Sequence, residues 1–180
     1  DITVRPVNDA PTLTLSTTAQ PIEDTPLALT VTTTDIDAGS SLVSATASAL
    51  NGSLSVGGGA GSSTLNLSGT INDIQAALAT LTYRGNPDYF GPDTITVTIN
   101  DQGATGSPGA QSVTQTLSVN VQPVNDVPSF TGGPSQTVSE DAGRQVISNW
   151  ATNISRGPAN EANQSLNFVI VSNSSPDLFT

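Results

Sequence analysis

The side chains able to do chemistry here are almost all oxygen donors. Fifteen Asp and Glu face four Arg, and the chain has no Lys, His or Cys. The acids and their amide neighbours fall in short groups: Asn8-Asp9, Glu23-Asp24, Asp35-Ile36-Asp37, Asp88, Asp93, Asn100-Asp101 and Asn125-Asp126. Without thiolate or imidazole, a conventional zinc site is excluded. Carboxylates with Asn amides suit a hard cation, Ca2+ above all, which takes about six to eight oxygens. A Cys nucleophile or a His-dependent triad is excluded too. Carboxylate pairs of the glycosidase kind are the remaining catalytic option, and acids confined to end loops argue against an enzyme.

The same balance bounds the partners. A net charge of −11 without a basic patch excludes nucleic acid. No apolar run approaches the roughly 18 residues of a membrane span. With no disulfide to staple it, an extracellular, secreted chain of this kind is expected to use divalent metal instead. The opening Asp1-Ile2-Thr3-Val4 already reads as a strand, so the sequence is taken as a piece of something longer.

The elements that must position these acids are set by a repeat. Pro6-Val7-Asn8-Asp9-Ala10-Pro11 recurs as Pro123-Val124-Asn125-Asp126-Val127-Pro128, an offset of 117 residues. The same offset carries Glu23-Asp24 onto Glu140-Asp141. Two motifs at one offset define a domain-sized period. Residues 1–9 are therefore the last strand and linker of a preceding repeat. Residues 10–126 are one complete domain with its linker, and 127–180 are the first part of a second.

Alternation of apolar and polar residues predicts strands at Leu13-Leu15, Leu27-Leu29-Val31, Val43-Ala45-Ala47, Thr80–Tyr83, Ile95-Val97-Ile99 and Val113–Val121. Leu54-Val56 and Leu65-Leu67 are expected to form a hairpin across Gly57-Gly58-Gly59. Thr70 with Asp73 opens a short helix through Ile71, Ile74 and Leu78. The result is an all-β Greek-key sandwich, immunoglobulin-like or cadherin-like, with one short helix.

In such a sandwich the loops sort to two ends. Asp35, Asp37 and Asp101 should meet Asn8 and Asp9 at one end. Glu23 and Asp88 should meet Asn125 and Asp126 at the other. Each end is a candidate Ca2+ site. Asp and Asn are also ordinary turn residues, and it is their gathering at both ends that favours metal.

The linker, Glu23-Asp24-Thr25-Pro26, Asp35-Ile-Asp37-Ala-Gly and the run from Tyr83 to Asp101 resemble bacterial cadherin-like tandem repeats of large secreted and RTX-type adhesins. The resemblance implies linker ligands at Asn125 and Asp126, with Glu23, Asp88, Asp35, Asp37 and Asp101 as further ligands. In the second domain it implies that Asn160-Glu161 replaces the Asp-x-Asp pair, making Glu161 a candidate ligand. The expected function is a calcium-binding structural or adhesive segment, a rigid spacer whose partners are neighbouring repeats, other copies of itself, or cell-surface glycans and proteins. The alternatives are a filament or surface-layer subunit assembled by strand exchange, and a carbohydrate-binding module. Tyr83, Tyr89 and Phe90 are read as core and corner packing rather than a ligand platform.

Overall fold

A computed structural model describes residues 2–103 and 106–172. It divides into two compact units, Asp1–Val124 and Asn125–Thr180. Residues 173–180 of the expected second domain lie outside the described residues. The structure is mostly β-strand in several sheets with one short helix, a sandwich-like all-β fold.

In the first unit, strand β1 (Thr12–Ser16) pairs antiparallel with β3 (Thr30–Thr34). A three-stranded sheet has the order β2-β7-β5, from β2 (Leu27–Ala28), β7 (Thr82–Gly85) and β5 (Gly52–Ser55). A four-stranded sheet has the order β6-β4-β8-β9, from β6 (Thr64–Gly69), β4 (Val43–Ala49), β8 (Gly91–Asn100) and β9 (Ser112–Val121). Period-two alternation builds its core face: Val43, Ala45 and Ala47 on β4 and Ile95, Val97 and Ile99 on β8 are all buried. Its outer face is Ser and Thr, so one face packs while the other is wetted.

Two expectations are corrected. The predicted continuous strand at Leu27–Val31 is broken at Leu29, whose N–H donates to Leu81 O at 2.9 Å. Its first half joins β7 and its second half joins β1. The predicted hairpin is reduced to one antiparallel bridge, Leu54 N–H on Ser62 O at 2.8 Å and Ser62 N–H on Leu54 O at 3.0 Å, after which its arms part: β5 pairs with β7 and β6 pairs with β4. Leu54 is fully buried opposite Tyr83, whereas Leu65 and Leu67 pair opposite Ala47 and Ala45 in the other sheet. The glycine run turns the chain within that bridge, with Gly57 and Gly58 at φ of 60° and 73°.

The helix α1 (Ile71–Leu78) forms as the capping box predicts. Asp73 N–H donates to Thr70 Oγ1 at 3.3 Å, and Thr70 N–H donates to Asp73 Oδ2 at 3.0 Å. It buries Ile71, Ile74 and Leu78. Gln75 docks it onto the open edge of β3, accepting from Thr33 N–H at 2.6 Å and donating to Val31 O at 3.3 Å. Those edge groups would otherwise lack partners.

The second unit holds β10 (Ser129–Gly132) paired with β11 (Ala151–Ser155) and a 3-10 turn, Ala159–Glu161. Phe130 packs edge-on against Phe168 at 5.1 Å and lies 6.5 Å from Trp150. Among its described residues Glu161 is the only buried one.

Candidate functional site

One end of the first unit gathers Asn8, Asp9, Asp35, Asp37 and Asp101. Asp35 and Asp37 follow the end of β3, and Asp101 follows the end of β8. Asn8 is held in place by its N–H to Ser107 O at 3.0 Å. Its side-chain amide donates to Asp101 Oδ2 and to Gly109 O, each at 2.7 Å. Asp101 Oδ1 accepts from Gly103 N–H at 2.9 Å and Gln111 N–H at 2.7 Å. Burial pushes the Asp101 carboxyl up, but these three donors outweigh burial and hold it below the ordinary aspartate value.

Asp35 is poised the other way. Its Oδ1 accepts from Asp37 N–H at 3.1 Å and Ala38 N–H at 3.0 Å. Its Oδ2 is buried and has no hydrogen-bond partner. Burial, followed by the adjoining Asp37 carboxylate, raises its pKa. Asp37 Oδ2 in turn accepts from Asp9 N–H at 3.1 Å, which ties the linker to this loop. Neither Asp35 nor Asp101 forms an ion pair among the described residues. The donor set is all oxygen, with an orphaned buried carboxylate oxygen and a second carboxylate beside it. That fits a divalent cation.

The opposite end of the same unit holds Glu23, Asp24 and Asp88. Glu23 is buried; Oε1 accepts from Val124 N–H while Oε2 is buried without a partner. The Asp24 and Asp88 carboxylates come within 4.8 Å of each other. Both residues sit at positive φ, 59° and 58°. Asp24 also lies 3.7 Å from Arg84, a pair at the solvent-exposed surface.

Asn125, Asp126 and Glu161 belong to the second unit. Asp126 N–H donates to Glu161 Oε1 at 2.7 Å, and Gln164 donates to Asn125 Oδ1 at 2.8 Å. Glu140, which the offset pairs with Glu23, is exposed beside the turn that closes with Ala142 N–H on Ser139 O at 3.1 Å.

Asp93 has both carboxylate oxygens in hydrogen bonds within the first unit. Its Oδ2 accepts from the Tyr83 hydroxyl at 2.8 Å, and Oδ1 accepts from Leu50, Asn51 and Thr94 N–H at 3.2, 3.1 and 2.7 Å. Burial, then this bond, raises the Tyr83 phenol well above its usual value. Tyr83 is core, as read, and Tyr89 is half-buried with its hydroxyl on Pro92 O at 2.6 Å. Phe90 is instead 47% exposed. Gln111 escaped the sequence reading, although its backbone holds Asp101 and its side chain donates to Asn8 O. It lies 103 residues from Asn8 and carries no local signal.

Residues 32–107 match a family model described as the Protein GAMETE EXPRESSED 2 domain. No curated protein and no solved structure matches the chain. The matched segment lies within the first unit and carries Asp35, Asp37, Asp88 and Asp101. It covers less than half of the chain, so it marks a similarity of that segment. It nonetheless overturns the expected kinship with bacterial cadherin-like and RTX-type adhesin repeats. The expected role as a calcium-binding adhesive or spacer repeat of a bacterial surface protein falls with it, and so do the filament-subunit and carbohydrate-module alternatives.

Proposed function

We propose that the first unit is a non-enzymatic β-sandwich module that holds Ca2+ at the loop end formed by Asn8, Asp9, Asp35, Asp37 and Asp101. It is of the kind carried by proteins with a GAMETE EXPRESSED 2 domain and acts outside the cell, where free Ca2+ reaches the range that such extracellular modules bind. One observation carries the reading: Asp35 Oδ2 is buried against a second carboxylate, that of Asp37, and no N–H among the described residues donates to it. A carboxylate in that position costs free energy until a cation compensates it. Asp35 and Asp37 would face the ion. Asn8 and Asp101, already bonded to each other, would hold the linker and the β8–β9 loop in place around it.

The non-enzymatic part rests on chemistry. Cys and His are absent, and the carboxylate buried deepest beside a tyrosine, Asp93, has both oxygens committed to structural bonds.

Thermal melting in about 5 mM Ca2+ against excess chelator tests this. Ion binding to the folded state alone raises Tm by mass action, with about 1–2 kcal/mol expected at the roughly 5- to 50-fold excess over Kd that this concentration gives. Kd is expected at about 10⁻⁴–10⁻³ M. Asp35→Asn should remove the calcium increment and raise Tm in chelator, because it removes an uncompensated charge. Identical melts of the wild-type first unit with and without calcium would sink the reading.

A further inference from the structure

We infer that Asn160 and Glu161, with Asp126 beside them, form a divalent-cation site within the second unit, and that the bound cation stabilises it. The observation is a buried carboxylate. The one buried residue among those described in this unit is a glutamate, at 5% exposure.

That glutamate is half satisfied. Its Oε1 accepts from Asp126 N–H at 2.7 Å, and its Oε2 is buried with no partner. The adjacent Asn160 Oδ1 is also buried with no partner. Two hard oxygens on neighbouring residues, one of them anionic, lack a donor. Neither Arg144 nor Arg156 forms an ion pair with Glu161. A buried unpaired carboxylate costs several kcal/mol, on the order of what a small unit has in total.

The backbone is shaped to leave room. The 3-10 turn closes with Glu161 N–H on Pro158 O at 3.0 Å, and Gln164 N–H returns to Glu161 O at 2.9 Å. This presents Asn160 and Glu161 together. Gly157 has φ of 127°, and a Cβ there would overlap Glu161 Oε2 and stand 3.4 Å from Asp126 Cβ. The glycine thus keeps open the space the two acidic side chains share. All-oxygen donors of this kind select Ca2+ over zinc or copper. Where a site forms only in the folded chain, binding free energy becomes folding free energy. The inference stands on residues of the second unit alone, so it does not depend on the site at Asp35.

Trp150 is the only tryptophan in the chain and lies in the second unit, its indole N–H on Pro134 O at 3.1 Å. Its emission reports the second unit without interference. In the full chain, Ca2+ titrated into chelated protein should shift Trp150 emission to the blue, with a midpoint of about 0.1–1 mM. Glu161→Gln should abolish the response. Asn160→Asp replaces an orphan amide oxygen by a second carboxylate and should move the midpoint about tenfold tighter, a gain that misfolding cannot produce. Asp35→Asn should leave the Trp150 titration unchanged. The inference is overturned if Trp150 emission is the same in calcium and chelator, if Glu161→Gln still responds, or if Asn160→Asp binds no tighter than wild type.

Discussion

The two units begin with the same strand pair, and matching positions in them meet different surroundings. β1 starts at Thr12 and β10 at Ser129, 117 residues later, and each pairs antiparallel with the next long strand. In the first unit that pair is covered. Leu13 and Val31 are buried, and α1 docks on β3 through Gln75. In the second unit the residue at the position of Leu13, Phe130, packs against Phe168 and Trp150, and all three rings are partly exposed. The first unit is held by burial of apolar area, at about 25 cal/mol per Å2. Among the described residues of the second, the buried one is a glutamate. A β-pair is thus a shared starting point, and what packs on it decides which of its side chains are buried.

The widest split should come from core truncation. Leu81 is fully buried, so Leu81→Ala should cost about 2–5 kcal/mol in urea unfolding of the first unit followed by far-UV circular dichroism. Phe130→Ala, at a half-exposed site, should cost well under half as much when followed by Trp150 emission. Equal losses would erase the contrast between the units.

A smaller effect tests the buried polar pin of the first unit. Tyr83→Phe leaves Asp93 Oδ2 without its donor and should cost about 1–3 kcal/mol in the same urea experiment. A neutral result would mean that Asp93 is satisfied by its three backbone donors alone.

The smallest concerns the helix that only the first unit has among the described residues. Thr70→Ala removes the cap and should cost about 0.5–2 kcal/mol. The Thr70 hydroxyl, then its N–H, hold the Asp73 carboxyl below its ordinary value of 3.8. A lowered carboxyl pKa stabilises the folded state above 3.8, and that contribution is lost as pH falls through the lower folded value. Stability of wild type and Asp73→Asn should therefore converge as pH drops below about 4, measured by urea midpoints. A difference that stays constant with pH would remove the ionic part of the cap.

Local pattern alone carried a good deal. Alternation marked β1, β4, β8 and β9, and the Thr70–Asp73 spacing marked α1, because side-chain period and capping are properties of adjacent residues. The 117-residue repeat exposed the linkers for the same reason, and residue types alone limited the chemistry to oxygen donors. Tertiary structure decided the rest. Leu54 and Leu65 carry the same alternation, yet packing sent them to different sheets. Glu23 and Glu140 occupy matching positions in the repeat, yet one is buried and the other exposed. Asp93 and Asp35 are both loop or strand-end acids, and only the fold shows one with every oxygen bonded and the other with an oxygen left over. Periodicity records which way a side chain points along its own strand. Whether a carboxylate meets a donor, a solvent layer or a gap fit for a cation depends on segments a hundred residues away, as Gln111 does for Asn8.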